Sequence, residues 1–398
     1  MENIKVNIEI GGKILKKKFI WLILIILILQ FAVPIYGEDS LDIKAKSAIL
    51  IDYSTGEILY EKNANEKLPP ASISKIMTLL LGMESLDNGK ITLTDKVRVS
   101  RHAASMGGSQ LWLEEGETQT VEDLFRAIVL RSANDASVAL AEHIAGSEEI
   151  FVNLMNDRAK ELGMNNTNFA NATGLPHENH YMSAKDVAKI SQELLKHKKI
   201  HDWLTIYMDE MIVGKKKDKV AGLVNTNRLV KEYHGTTGIK TGSTSEAKYC
   251  LSASAKRGNL HLIAVILGAD NSRIRFDESM RLLDYGFANY DSIPIGRKND
   301  VFGKVPIQKG NMEFLEVVLE RDAYILIPKE KGGNLNKDVL LPEYVESPIE
   351  IGEKIGELIV KIDDKEIDRI NLVSKNGIEK IEFNEMFKKV IKSLLISK

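Results

Sequence analysis

Three short segments hold residues whose types and spacing could do chemistry together: Ser72-Ile73-Ser74-Lys75, Ser132-Ala133-Asn134 and Lys240-Thr241-Gly242. A serine and a lysine three positions apart share one face of a helix, about a turn from each other. A serine hydroxyl attacks a carbonyl carbon only when something takes its proton, and a neutral lysine amine can do so. For Lys75 to be neutral near pH 7, its pKa must fall through burial or a neighbouring cation; Lys240 could be that cation. Ser132 and Asn134 add a hydroxyl and an amide for moving and orienting protons. Lys240 and Thr241 can grip a carboxylate, and Gly242 leaves room for a ligand backbone to lie along a strand. Together these are the parts of an enzyme that transfers an acyl group through serine.

No single motif is specific. Ser245-Glu246-Ala247-Lys248 repeats the first pattern and Ser374-Lys375-Asn376 the second. The surrounding elements decide between the copies. Pro69-Pro70 pre-sets a helix start at Ala71 or Ser72, whereas Ser245 falls in a turn between strand patterns. Ser132 follows a helix opened by Thr120-Val121-Glu122-Asp123, with a capping hydroxyl and acids in its first turn. Leu124, Ala127, Ile128 and Leu130 give that helix a buried face. Residues 46–62 read as a hairpin turning at Ser54-Thr55-Gly56. Strand patterns return at Lys240–Thr244, Tyr249–Ala255 and His261–Leu267, with Arg257-Gly258-Asn259 as a turn. A helix-rich middle enclosed by strands from both ends is an α+β or three-layer arrangement. Residues 304–382 hold short β-branched runs split by charged turns, the pattern of a small all-β module.

The chain ends call for separate readings. Lys13, Lys16, Lys17 and Lys18 precede the apolar run Phe19–Val33, followed by Pro34 and Gly37, which is the layout of an export signal over residues 1–37. An uncleaved membrane anchor is the alternative; the sharp end of the run at Pro34 and Glu38-Asp39-Ser40 favours cleavage. Either way the remainder is expected outside the cytoplasm. Phe383, Met386, Phe387, Val390, Ile391, Leu394 and Leu395 make one apolar face of a helix over 383–398, flanked by Lys388, Lys389, Lys392 and Lys398. Lying in an anionic membrane surface suits it better than packing on the β module. The net charge of −2 falls to about −5 without residues 1–37, so nucleic acid is not an expected partner. The single cysteine, Cys250, excludes an intramolecular disulfide and reads as a buried thiol. His177 and His180 invite a metal reading, but spacing supplies no third ligand, so neither metal nor other cofactor is expected.

Pro70–Thr78 resembles the nucleophile segment of the low-molecular-mass penicillin-binding proteins that are D-alanyl-D-alanine carboxypeptidases. So do Gly107-Gly108-Ser109-Gln110, Leu162-Gly163-Met164, Thr173-Gly174-Leu175-Pro176, Thr226-Asn227-Arg228-Leu229 and Gly238–Gly242. The likeness runs from about Ala45 to Asn289. It implies a β-lactamase/transpeptidase-like D,D-peptidase domain over 40–290, an antiparallel sheet flanked by helices. A β-rich domain over 291–382 and an amphipathic helix over 383–398 match the family's downstream layout. The resemblance further implies that Ser72 forms an acyl-enzyme with the penultimate D-alanine of a peptidoglycan stem peptide and releases the terminal one, and that β-lactams inhibit covalently. Lys75 would be the base, Ser132 the relay, and Asn134 the orienting group. Lys240, Thr241, Gly242 and Ser243 would line the carboxylate site. Backbone N–H groups of Ser72 and Ser243 would form the oxyanion hole. Ser74, where the family commonly has threonine, is a departure that leaves the catalytic pair intact. Serine at 243, a position that varies in the family, leaves its side chain without an implied role.

Two rival readings fit the residues less well. A β-lactamase needs an added carboxylate to drive water onto the acyl-enzyme, and Glu161 with Asn165 only loosely mimics one. A non-catalytic wall-binding or β-lactam-sensing protein would have no use for Lys75 and Ser132.

Overall fold

Ser47–Asp52 (β1) has an apolar or small side chain at all but its last position and is buried along its whole length, so both faces must be covered. It pairs with Ile58–Lys62 (β2) in the expected hairpin. The structure, a computed structural model, describes residues 41–330 and 333–382 and, beyond these, only 385, 387 and 391. The expected export segment 1–37 lies outside the described residues, as does nearly all of the expected terminal helix 383–398.

Between the two ends of the sheet run two short ribbons and most of the helices. The ribbons are Lys96–Arg98 (β3) with Thr118–Thr120 (β4), and Met208–Val213 (β5) with Lys219–Val224 (β6). The chain then returns to the sheet as Thr236–Thr244 (β7), Lys248–Arg257 (β8) and Leu260–Ala269 (β9). The strand order is β2-β1-β9-β8-β7, antiparallel throughout. The hairpin from the start of the domain therefore zips onto the last strand, and β7, which carries Lys240-Thr241-Gly242, is an edge.

β9 is buried at every position because helices cover both its faces. Ser272–Asn289, capped by the Asn271 side chain, lies on one face so closely that a Cβ at Gly286 would sit 2.5 Å from Leu262 Cδ1. Ala184–Leu194, capped by Ser183, packs on β1 and β9. At the centre of the helical layer, Lys75–Asp87 buries most of its residues, among them Ile76, Met77, Leu79, Leu80 and Met83. Each fully buried aliphatic side chain stabilises by roughly 1.5–3 kcal/mol relative to exposure. Phe125 and Trp203 stack at 5.2 Å beside it.

The β module adds Tyr290–Gly296 (β10), Val301–Gln308 (β11), Phe314–Leu319 (β12) and Ala323–Pro328 (β13). Leu335–Leu340 (β14), Val345–Glu346 (β15), Lys354–Ile362 (β16) and Lys365–Ser374 (β17) complete it. β10 pairs with β13, and the rest form a sheet in the order β14-β16-β17-β12-β11-β15. Leu315, Val317, Leu319, Leu358, Val360, Ile370 and Leu372 make its own core. The architecture is thus α+β followed by all-β. No helix among the described residues is long and apolar enough to cross a membrane.

Candidate active site

The residues after Pro70 enter a tight 3-10 turn, Ala71–Ser74, and the α-helix proper begins at Lys75. Ala71 takes a left-handed φ of 50°, and Ser72 is only partly buried while Lys75 is 0% exposed. Lys75 Nζ lies 3.0 Å from Ser72 Oγ, 2.6 Å from Asn134 Oδ1 and 2.6 Å from the carbonyl oxygen of Thr173. Burial, reinforced by the nearby Lys240 charge and opposed by Asp135, holds the Lys75 ammonium well below the usual lysine range. Asp135 is itself buried. Its carboxylate accepts from the N–H groups of Leu111, Leu113 and Ala136, yet burial still raises its pKa.

The second motif sits where one helix breaks and another starts. Thr120 caps Val121–Arg126 in a reciprocal capping box with Asp123, and the helix then widens into a π-turn over Ala127–Arg131. That turn ends at Ser132, held at φ 61° and ψ 33°, a local strain of the kind found at functional positions. Ser132 is 4% exposed, and its buried hydroxyl is without a hydrogen-bond partner among the described residues. Asn134 opens the next helix. Its Nδ2 donates to the Gly107 carbonyl at 2.7 Å and its backbone N–H to that of Ser109, also at 2.7 Å, which fixes Oδ1 toward Lys75.

β7 closes the site. A Cβ on Gly242 would lie 2.9 Å from Pro70 O and 3.0 Å from both Ser72 N and Ile73 N. Only glycine lets the strand press against the Ala71–Ser74 turn here. Ser243, the next residue, is exposed. Lys240 is 1% exposed and, among the described residues, donates only to the Thr241 carbonyl, at 3.1 Å. Burial first, and the Arg275 charge second, bring it down to about 7. Arg275 reaches under the strand from the helix 272–289, and its Nη1 donates to the carbonyls of Gly242 (3.1 Å) and Cys250 (3.3 Å). Thr241 Oγ1 donates to Thr226 Oγ1 at 2.7 Å.

The fold thus gathers Ser72, Lys75 and Asn134 directly, sets Gly242 against them, and puts Lys240 close enough to act on Lys75. The decoys fall elsewhere. Ser245 is in the exposed turn between β7 and β8, and Ser374 bonds the Glu350 carbonyl at the end of β17. Glu161 lies on the surface, paired with Arg158 at 2.9 Å. Cys250 is buried, and burial raises its thiol to about 11. His177 Nδ1 accepts from the Asn179 N–H, while His180 turns inward to Ser74. Among the described residues no group of three His, Cys, Asp or Glu side chains could hold a metal ion.

Sequence reasoning singled out Thr173-Gly174-Leu175-Pro176 only as a point of resemblance and did not foresee that its Thr173 carbonyl is the second acceptor for Lys75. Asn171 Oδ1 accepts from the N–H groups of Thr173, Gly174 and Leu175, which folds this loop so that the Thr173 carbonyl faces Lys75. Thr78 Oγ1 ties the catalytic helix to the neighbouring Ala172 carbonyl at 2.7 Å. A backbone acceptor leaves no side-chain signature, although an Asx-turn residue before Thr-Gly was a usable cue.

A family model described as D-alanyl-D-alanine carboxypeptidase matches residues 35–271, and one described as penicillin-binding protein 5, C-terminal domain, matches residues 290–380. The chain is 43% identical to the D-alanyl-D-alanine carboxypeptidase DacF of Bacillus subtilis over 95% of this chain and 98% of that one. It is 34% identical to DacC, the carboxypeptidase of that name from Escherichia coli, over 85% of each. Penicillin binding protein 5 from Haemophilus influenzae superposes with a TM-score of 0.72 at 31% identity, over 85% of this chain and 98% of that one.

Proposed function

The chain belongs to the D-alanyl-D-alanine carboxypeptidase family, a class of serine hydrolases, and from that premise we propose how its own residues carry the reaction. The protein is a penicillin-binding D-Ala-D-Ala carboxypeptidase: it removes the terminal D-alanine from peptidoglycan stem peptides, outside the cytoplasm, and β-lactams occupy the same site.

One observation carries the assignment of roles, namely the set of three contacts around Lys75 Nζ. A neutral amine has two N–H donors and one lone pair. Asn134 Oδ1 and the Thr173 carbonyl can only accept, so they take the two N–H groups. The lone pair is left facing Ser72 Oγ at 3.0 Å, the position of a general base for that hydroxyl. As Ser72 Oγ attacks the carbonyl carbon of the penultimate D-alanine, its proton passes to Lys75. The negative charge that develops on the carbonyl oxygen meets the N–H groups of Ser72 and Ser243, a contribution of about 10²–10³ in rate per donor. The unpartnered Ser132 hydroxyl relays the proton to the departing amine as the C–N bond breaks. Water then hydrolyses the ester. Lys240 and Thr241 hold the terminal carboxylate, and Gly242 lets the substrate backbone lie against β7. Neither metal nor cofactor has a role in this scheme.

Release of D-alanine from a peptide ending in D-Ala-D-Ala tests the assignment. Ser72→Ala should abolish release while the variant keeps its fold. Undiminished release by that variant would overturn it.

The tail 383–398 is assigned to the outer face of the cytoplasmic membrane on its sequence pattern, an apolar helical face with basic flanks. Phe387→Glu with Ile391→Glu should cut co-sedimentation with anionic vesicles several-fold. Equal sedimentation would refute that placement.

A further inference from the structure

The nucleophile turn carries a buried polar chain that no step above uses. Ser74 is fully buried, and its hydroxyl lies 3.0 Å from the Ala71 carbonyl and 2.8 Å from His180 Nε2. His180 is buried too, with its ring edge-on to Phe169 at 5.9 Å, and its Nδ1 has no partner among the described residues. The proton count fixes the direction of the chain. A carbonyl can only accept, so Ser74 gives its single hydroxyl proton to Ala71, and His180 Nε2–H must donate to Ser74 Oγ. That tautomer leaves a bare acceptor at Nδ1 rather than a buried, unpartnered N–H. Burial above all brings His180 down to about 4, so the ring is neutral near pH 7.

The far end of the chain matters because of where Ala71 sits. It immediately precedes Ser72, its φ of 50° is left-handed, and a Cβ on Gly174 would come 1.8 Å from its carbonyl oxygen. A non-glycine residue in that region is strained and persists only where its surroundings hold it. The Ala71 carbonyl is wedged between Gly174 and the Ser74 hydroxyl. His180 is itself rigidly placed. Met182 and Leu68 exchange two backbone hydrogen bonds (2.9 and 3.0 Å), as do Tyr181 and Asn168 (3.1 and 2.9 Å), and the His180 N–H donates to His177 O at 3.0 Å. The loop that presents the Thr173 carbonyl to Lys75 thus also carries a brace for the turn that presents Ser72.

We propose that His180 is a positioning residue for acylation, acting through Ser74 on the Ala71 carbonyl to aim Ser72 Oγ at Lys75. The proposal rests on the reading of Ser72 as nucleophile. It also gives this chain's serine at position 74 a task, because the task needs a hydroxyl.

The test is the rate of acylation by a fluorescent penicillin, measured over a range of concentrations so that the limiting rate and the preceding dissociation constant separate. His180→Ala and Ser74→Ala should each lower the limiting rate about tenfold or more, the effect expected for one buried hydrogen bond, with the dissociation constant within about twofold. His180→Gln, whose amide N–H can replace Nε2–H, and Ser74→Thr, which keeps the hydroxyl, should restore most of the rate. The double alanine variant should be no slower than the worse single one, since both break the same chain. A wild-type limiting rate in His180→Ala, multiplying losses in the double variant, or a Gln variant as slow as Ala at equal Tm would each overturn the proposal. If His180→Ala does not fold, the Gln, Ser74→Ala and Ser74→Thr variants still decide it. A penicillin adduct found on a residue other than Ser72 would instead overturn the nucleophile assignment on which the proposal stands.

Discussion

Replacing Asn134 with aspartate separates a neutral, oriented lysine base from a lysine that is merely nearby. Asn134 Oδ1 is 2.6 Å from Lys75 Nζ. A carboxylate there would keep an acceptor at the same place and add a full negative charge. Opposite unit charges at that separation attract by roughly 6 kcal/mol at an effective dielectric near 20. The aspartate must also pay for its own burial and face the Gly107 carbonyl, which now receives a hydrogen bond from Nδ2. If only about a third of the attraction survives, roughly 2 kcal/mol, the Lys75 pKa rises by more than one unit, since one unit is about 1.4 kcal/mol. The sign follows directly. The base works when neutral, burial now holds its pKa down, and raising that pKa moves the acidic limb of kcat/KM upward. The assay is the pH profile of kcat/KM for D-alanine release, which reports the free enzyme. Asn134→Asp should shift the acidic limb up by at least one unit and lose about tenfold or more in activity near that limb. Asn134→Ala, which removes the acceptor and adds no charge, should lose rate without that upward shift. A limb that stays put in Asn134→Asp, or moves equally in Asn134→Ala, would refute the reasoning.

Three further outcomes are expected. If Lys240 binds the substrate carboxylate as proposed, it must hold its proton, and burial brings it down to about 7, so kcat/KM should fall as pH rises through that region; Lys240→Arg should move this alkaline limb up, and an unmoved limb would exclude Lys240 as its source. Gly174→Ala would drive a Cβ to 1.8 Å from the Ala71 carbonyl at a φ of +81°, so penicillin acylation should slow by about 100-fold or more or the Tm should drop by several degrees; a fully active, equally stable variant would contradict the packing. Cys250, buried with its thiol raised to about 11, should resist thiol reagents until the protein unfolds, as followed by mass spectrometry; rapid native-state labelling would contradict its placement.

What was legible in the sequence, and what was not, divides along physical lines. Local signals were readable. Thr120 and the acids after it marked a capped helix start, and Arg257-Gly258-Asn259 the turn between β8 and β9. The β-branched runs around Leu315, Leu358 and Arg369 became strands of the module. The three-residue spacing of Ser72 and Lys75 was visible too, although the turn between them is 3-10 and tighter than a regular helix start, because Ala71 is left-handed. Pairings across the chain were not legible. Nothing local says that β1 joins β9, or that Arg275 reaches beneath the lysine strand. Lys75 finds its acceptors 59 and 98 residues away, and one of them is a backbone carbonyl. His180 stood out only as a weak metal candidate, since its partner Ser74 is 106 residues distant.

The central claim is that Ser72, activated by Lys75, is the residue that becomes acylated. Incubating the protein with a penicillin, digesting it and mapping the added mass tests this most directly. One adduct is expected, on Ser72 in the peptide containing Ala71-Ser72-Ile73-Ser74-Lys75, and none in Ser72→Ala. An adduct on Ser132, Ser245 or any other residue, or undiminished labelling of Ser72→Ala, would contradict it.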